Sequence, residues 1–125
     1  ERPWKTLVRE LRDAGYESPY LDRLRARHDV YAAQEELEKE IVREMAQALG
    51  RTGEKVDVAF LRLELAGKAL AAATDAADRE RLAATFNTLR AEAITARHEL
   101  RIHREAIGIR RHHELDRDYP IPPRA

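Results

Sequence analysis

Histidine, the side chain most often used to bind metals, is concentrated near the C-terminal end of the sequence. Four of the five histidines lie between residues 98 and 113, at His98, His103, His112 and His113. His98 and His103 are five residues apart, so on a helix their side chains point about 140° apart and do not share an ion. Glu99 and His103 are spaced to supply two ligands, which is fewer than a metal site needs. We expect no metal and no cofactor, and keep a metal- or ligand-binding bundle as an alternative.

The same stretch is rich in cations. Residues 97–113 hold five arginines and four histidines against Glu99 and Glu105. A patch of this kind can contact phosphates, but it carries no aromatic side chain for base stacking. It also ends a predicted helix, where the helix dipole favours cations. The whole chain has 23 basic and 23 acidic residues, so no global field selects nucleic acid. A protein partner is favoured, with nucleic-acid binding through residues 97–113 as the alternative.

No pattern in the sequence indicates a catalytic centre. The chain has no cysteine, and its single serine is Ser18. Gly50 and Gly53 lack the lysine and the preceding strand of a phosphate-binding loop. The acidic run over residues 35–40 reads as a solvated helix face without the apolar setting that acid–base catalysis requires. We expect a protein that is not an enzyme.

Proline placement predicts long helices. No proline lies between residues 20 and 119, and an interior proline would cost a helix about 3 kcal/mol. No alternating strand pattern or hairpin turn occurs. We predict an all-α single domain, an antiparallel three-helix bundle with a short helix at each end. Its parts are an N-terminal helix and turn over 1–17, core helices over 19–49, 54–73 and 76–107, a short helix over 110–117 and an extended proline-rich tail over 118–125.

Capping residues support these boundaries. Gly15 and Gly108 are predicted left-handed helix ends. Ser18, which precedes Pro19, is the predicted N-cap of the second helix, and Asp75 is the predicted N-cap of the fourth helix. The segment from Gly50 to Gly53 is predicted to be a turn.

The predicted fourth helix has the most regular apolar pattern. Its seam follows a strict heptad spacing, through Leu82, Phe86, Leu89, Ala93, Ala96, Leu100, His103 and Ile107. A histidine at such a position costs stability and often fixes register or partner choice. The alternative is that the helix end is partly wet at that level.

Helix lengths predict a surface for self-association. At 1.5 Å per residue the three core helices would measure about 46, 30 and 48 Å, so the apolar end of the fourth helix would overhang a shorter neighbour. We expect the chain's own termini or a second copy to cover it, in a scaffold or adaptor that forms a homodimer. The candidate interaction residues are Leu100, Ile102, His103, Arg104, Ile107, Arg110, Arg111, His112 and His113.

The tail has two interpretations. The run from Tyr119 to Pro123 is a potential polyproline-type ligand for an aromatic groove. We favour the alternative, in which Tyr119 and Ile121 pack back on the bundle.

One segment resembles a known group of proteins. Residues 103–110 read His-Arg-Glu-Ala-Ile-Gly-Ile-Arg, and residues 119–122 read Tyr-Pro-Ile-Pro. These two runs, within a span of about twenty residues, resemble the C-terminal signature of small, uncharacterised bacterial all-helical proteins. The resemblance implies a helical fold and a shared structural or binding role for Arg104, Glu105, Gly108 and Arg110. It implies no activity.

Targeting signals are not apparent in the sequence. Residues 1–20 are charged throughout and lack the apolar stretch of a signal peptide. No run approaches the roughly 18–20 apolar residues of a membrane span. We expect a cytoplasmic protein without a membrane partner.

Overall fold

A computed structural model describes residues 4–34 and 40–125, and of residues 27–34 and 40–43 it describes the backbone alone. Helices dominate these ranges, which contain no strand, so the predicted all-α class is confirmed. The helices are α1 (Trp4–Asp13), α2 (Pro19–Gln34), α3 (Glu40–Ala72), α4 (Ala76–Ala106) and α5 (His113–Asp118). None of the helices in the described ranges combines the length and the apolar character of a bilayer span.

The chain divides into two compact units, Glu1–Val58 and Ala59–Ala125, where the sequence predicts one domain. In the first unit α1 and α2 contact each other. Among the side chains described in this unit, the buried apolar ones are Trp4, Leu21, Leu24 and Val56. Leu21 and Leu24 are three residues apart on α2, so they lie on one face of that helix.

The junction between α1 and α2 shows the predicted capping. Gly15 has a φ of 74°, and the backbone N–H of Tyr16 donates to the carbonyl of Leu11 at 3.0 Å. These are the marks of a Schellman helix end, which needs the left-handed backbone that glycine adopts without penalty. The Ser18 Oγ then accepts a hydrogen bond from the backbone N–H of Tyr20 at 3.2 Å, which confirms Ser18 as the N-cap of α2.

The predicted turn from Gly50 to Gly53 is wrong. These residues lie inside α3, which runs unbroken from Glu40 to Ala72. Two interior glycines cost a helix about 2 kcal/mol relative to alanine. Val56 just beyond them is fully buried, and burial of one such side chain contributes roughly 1.5–3 kcal/mol. Tertiary burial therefore outweighs the local signal for a turn.

The predicted helices 19–49 and 54–73 are replaced by α2 and α3. Residues 35–39, with most of the acidic run, lie outside the described residues. With 33 residues, α3 is about 50 Å long, whereas α2 has 16 residues and is about 24 Å long. The premise that the helix before α4 is the shortest core helix is therefore wrong.

In the second unit, the last part of α3 (residues 59–72) packs with α4. The two helices lie close together at Gly67, where an added Cβ would lie 3.3 Å from Cε1 of Phe86. A short turn joins the helices, and Asp75 caps α4 by accepting a hydrogen bond from the N–H of Asp78 at 3.2 Å, as predicted. The bounds of α4 match the predicted 76–107 to within one residue.

Burial along α4 matches the predicted heptad seam over most of its length. Phe86, Ala93, Ala96 and Leu100 are buried. His103, one step further along the seam, is exposed. The buried part of the seam thus ends at Leu100. His103 is exposed to solvent, as the alternative interpretation of the helix end predicts.

Candidate interaction surface

The end of α4 is shaped by a sharp chain reversal at Gly108. The φ of Gly108 is 95°. Its N–H donates to the carbonyl of Glu105 at 3.0 Å, and the N–H of Ile109 donates to the carbonyl of Arg104 at 2.9 Å. This is a complete Schellman motif, and it confirms the predicted C-cap. Residues 107–112, here called the connecting segment, then lead to α5, which begins at His113 and not at the predicted residue 110.

A row of polar side chains on α4 holds the end of the chain, residues 113–125, which we call the C-terminal segment. The Nε of Arg90 donates to the carbonyl of Pro122 at 2.7 Å, and the Nη1 of Arg97 donates to the carbonyl of Tyr119 at 2.9 Å. Asn87 both donates to the carbonyl of Ala125 and accepts from its N–H. All these bonds are made to main-chain atoms of the C-terminal segment, so they do not depend on the identity of its side chains.

Charge and aromatic packing complete the attachment of the C-terminal segment. Asp116 lies 3.1 Å from the Nη2 of Arg101 and 3.6 Å from the Nη1 of Arg97. Asp116 is more than half exposed, so these pairs contribute at most about 1 kcal/mol each. Tyr119 is 6% exposed, and its ring centroid lies 5.2 Å from that of Phe60 in a tilted arrangement. The prediction that the tail packs back through Tyr119 is confirmed.

The connecting segment is tied to α4 at two points. The Nη2 of Arg104 donates to the carbonyl of Arg111 at 3.3 Å, and the Nε2 of His112 lies 3.0 Å from Oε1 of Glu105. The Nε of Arg104 and the Nδ1 of His112 are buried and have no hydrogen-bond partner in the described part of the chain. Arg104 and His112 are thus engaged within the chain and present little to a partner.

The remaining predicted residues are exposed, at the end of α4 and in the residues that follow it. Ile102 is 51% exposed and Ile107 is 39% exposed. His103, Arg110, Arg111 and His113 are exposed as well. We call these six the α4-end surface: Ile102, His103, Ile107, Arg110, Arg111 and His113. Leu100, in contrast, is 7% exposed, because the chain itself covers it. Leu100 therefore does not belong to the accessible surface.

The contacts of this region also bear on the two alternatives, nucleic-acid binding and metal binding. Of the five arginines between 97 and 113, Arg97, Arg101 and Arg104 bind other parts of the same chain. The side chains of Arg110 and Arg111 have no such contact within the described residues. For a metal, Glu99 is half-buried and His103 is exposed. Within residues 4–34 and 40–125, as far as their side chains are described, no three potential metal ligands lie together.

The first unit contains a pair of buried carboxylates that sequence reasoning missed. Glu54 and Asp57 are 5% and 0% exposed. The Nε1 of Trp4 donates to Oε2 of Glu54 at 3.2 Å. The Nη1 of Arg23 lies 4.0 Å from Oδ1 of Asp57, and its guanidinium lies 5.6 Å from the ring centroid of Tyr20. These contacts anchor α1 and α2 to the start of the buried part of α3.

The arginine row was also missed, although the sequence carries a signal for it. Arg90, Arg97, Arg101 and Arg104 are spaced by seven, four and three residues. That spacing places them on one side of a helix. No comparable signal marks Glu54 and Asp57, which resemble ordinary surface charges until Trp4 and Arg23 are placed beside them.

Arg117 and Asp118 form an exposed ion pair at the end of α5. The pKa of Arg117 is raised, because Asp118 accepts a hydrogen bond from it and adds a negative charge beside it. This pair is exposed and neighbouring in sequence, so it stabilises the charge of Arg117 without creating a reactive group.

Comparison with known proteins gives no match. No protein-family model matches the chain, and neither a curated protein nor a solved structure does so. The resemblance of its C-terminal residues to small bacterial helical proteins therefore stays a prediction.

Proposed function

We propose that this chain is a non-enzymatic interaction module, a scaffold or adaptor, that associates with a second copy through the α4-end surface. One observation carries the proposal. Ile102 and Ile107, both large and apolar, are exposed at the end of α4, and the exposed cations Arg110 and Arg111 follow them closely in the sequence. Apolar side chains within a polar rim are the usual arrangement of a protein–protein interface.

Charge around this surface favours a second copy as the partner. Arg110 and Arg111 are exposed, and so are Glu105 and Glu114 close by in the chain. In a two-fold symmetric contact, each cation of one copy can meet an anion of the other. The region carries both signs and is thus suited to pairing with itself.

Nucleic-acid binding has less support. Among the five arginines of the predicted cationic stretch, only the side chains of Arg110 and Arg111 make no contact within the described residues. Each phosphate contact adds to affinity through counterion release, and two available arginines supply little of this.

The proposed interaction module includes two further features. Its helices would pack as an antiparallel bundle, and helices would pair as in a coiled coil, so that the end of α4 faces a partner.

The test is the self-association of an Ile102→Asp variant, measured by sedimentation velocity over a range of protein concentrations. Ile102 is half exposed in the single chain, so the substitution leaves the fold intact while placing a charge in the proposed contact. Loss of apolar burial and the desolvation of a carboxylate would raise the dimer dissociation constant at least about tenfold. Leu100→Asp is unsuitable, because Leu100 is buried and its replacement would unfold the chain.

Met45→Asp is the matched control. Met45 is 47% exposed on α3, away from the α4-end surface in sequence. Dimers that persist in Met45→Asp and are lost in Ile102→Asp support the proposal. A wild-type chain that stays monomeric at high concentration, or equal effects of the two substitutions, would contradict it.

A further inference from the structure

The C-terminal segment is held by contacts that a second copy of the chain can supply equally well. Arg90, Arg97 and Asn87 bind main-chain atoms of residues 119–125. Tyr119 fills a buried position beside Phe60. Every one of these partners lies on α3 or α4, and every bound atom lies in the C-terminal segment. The contacts themselves therefore do not require both sides to come from one chain.

The backbone at Gly108 decides which α3–α4 pair receives the segment. With a φ of 95°, Gly108 turns the chain back so that residues 113–125 lie along their own α4. A negative φ at this residue would continue the helix or extend the chain, and would direct the segment away from its own α4. The connecting segment is only residues 107–112, which is short enough for one backbone change to redirect the C-terminal segment.

We propose that residues 113–125 exchange between two copies, so that each copy's C-terminal segment packs on α3 and α4 of the other. This proposal rests on the self-association put forward under the proposed function, and it specifies how the two copies would associate. Exchange of an identical element preserves the contacts of residues 113–125 and is a known route to dimers. The helix end at Gly108 and the ties of Arg104 to Arg111 and of His112 to Glu105 must open to let the segment leave.

The α4-end surface supplies what the single chain lacks. Ile102 lies five residues before the connecting segment, and Ile107 is the first residue of that segment. In an exchanged dimer, each connecting segment would cross from the α4 of its own copy to the other copy near these residues. The isoleucines, exposed in the single chain, would then be covered where the two chains cross. Exchange thus accounts for both the attachment of the C-terminal segment and the exposed isoleucines at the end of α4.

Two glycines allow a matched test. Gly108 and Gly15 both have positive φ, at 95° and 74°, and a Cβ added at either meets no atom within 4 Å. A β-branched residue opposes the left-handed backbone at both positions. Gly108→Val is expected to raise the ratio of dimer to monomer about tenfold, since it penalises the closed reversal. Gly15→Val carries a backbone penalty of the same kind without redirecting the C-terminal segment, so its dimer ratio should stay at the wild-type value.

Crosslinking identifies the exchanged contact itself. The chain has no cysteine, so single cysteines can be introduced cleanly at the contact between Asn87 and Ala125. Chains with Asn87→Cys are mixed with chains with Ala125→Cys, both in the Gly108→Val background. They are incubated at high concentration and treated with a short bismaleimide. A covalent heterodimer is expected.

The outcomes separate the two proposals. A heterodimer from Asn87→Cys and Ala125→Cys, together with more dimer in Gly108→Val than in Gly15→Val, supports exchange. Dimers that are sensitive to Ile102→Asp but give no covalent heterodimer overturn exchange and leave the interaction module standing. Equal dimer ratios for the two glycine variants also overturn exchange. Monomers throughout overturn both.

Discussion

Arg97 donates a hydrogen bond from Nη1 to the carbonyl oxygen of Tyr119 at 2.9 Å, across 22 residues of sequence. The same guanidinium lies 3.6 Å from Asp116, and the ring of Tyr119 packs beside Phe60. One side chain of α4 thus holds the main chain at the point where the aromatic side chain enters the core. We therefore expect the attachment of the C-terminal segment to depend on Arg97 more than on the exposed charges around it.

Replacing Arg97 should loosen the C-terminal segment. Arg97→Gln removes a charge-assisted hydrogen bond and an ion pair, which together stabilise the attachment by about 1–3 kcal/mol. Amide hydrogen exchange measured by mass spectrometry over residues 113–125 should accelerate about tenfold or more. Arg110→Gln is the control, because Arg110 is exposed and its side chain has no contact within the described residues. Equal exchange in both variants would show that Arg97 does not hold the segment.

Tyr119 should be the main apolar anchor of the same segment. Tyr119→Ala removes a ring that is 6% exposed, and large-to-small changes of this kind cost about 3–5 kcal/mol. Thermal unfolding monitored by circular dichroism should show a large drop in the melting temperature. Tyr119→Phe keeps the ring beside Phe60 and should lose much less. An alanine variant as stable as the phenylalanine variant would remove Tyr119 from the core.

Gly67 should be needed for the close approach of α3 and α4. Alanine in a helix interior normally gains about 1 kcal/mol over glycine, but here its Cβ would lie 3.3 Å from Phe86. Overpacking costs about 1–3 kcal/mol, so we expect Gly67→Ala to lower the free energy of unfolding. Phe86→Leu should reduce that loss in a double-mutant cycle based on urea denaturation. Strict additivity of the two changes would contradict the predicted contact.

Trp4 should stabilise the first unit through its ring nitrogen as well as its area. Trp4→Phe leaves the buried Oε2 of Glu54 without the donor that now lies 3.2 Å away. Loss of a hydrogen bond to a buried charged group costs about 1–3 kcal/mol. The urea midpoint should fall with an unchanged slope. A midpoint equal to that of the wild type would mean that other partners of Glu54 suffice.

The sequence predicted those helix ends that are capped by residues only a few positions away in the sequence. Gly15, Ser18, Asp75 and Gly108 act within a few residues of themselves, and all four cap as predicted. The same local reasoning failed at Gly50, because burial further along α3 outweighs the glycine penalty. Such burial depends on residues distant in sequence, which no local pattern reports.

The candidate surface was predicted in part for the same reason. The heptad seam placed Leu100 at an unmatched helix end, but the chain itself buries it. Ile102 and Ile107 remain accessible, as the sequence pattern indicated. The role of Arg97 in holding Tyr119 depends on the reversal at Gly108 and on the path of residues 113–125. Spacing alone showed that the arginines share a side of α4 without showing what they bind.

Sedimentation equilibrium of the unmodified chain tests the central claim most directly, because the claim is that this protein pairs with itself. The chain has a mass of 14.4 kDa. The account predicts a weight-average mass that rises with concentration toward twice that value, and that stays near the single-chain mass in Ile102→Asp at the same concentrations. A wild-type mass that remains at 14.4 kDa over the whole concentration range would contradict it.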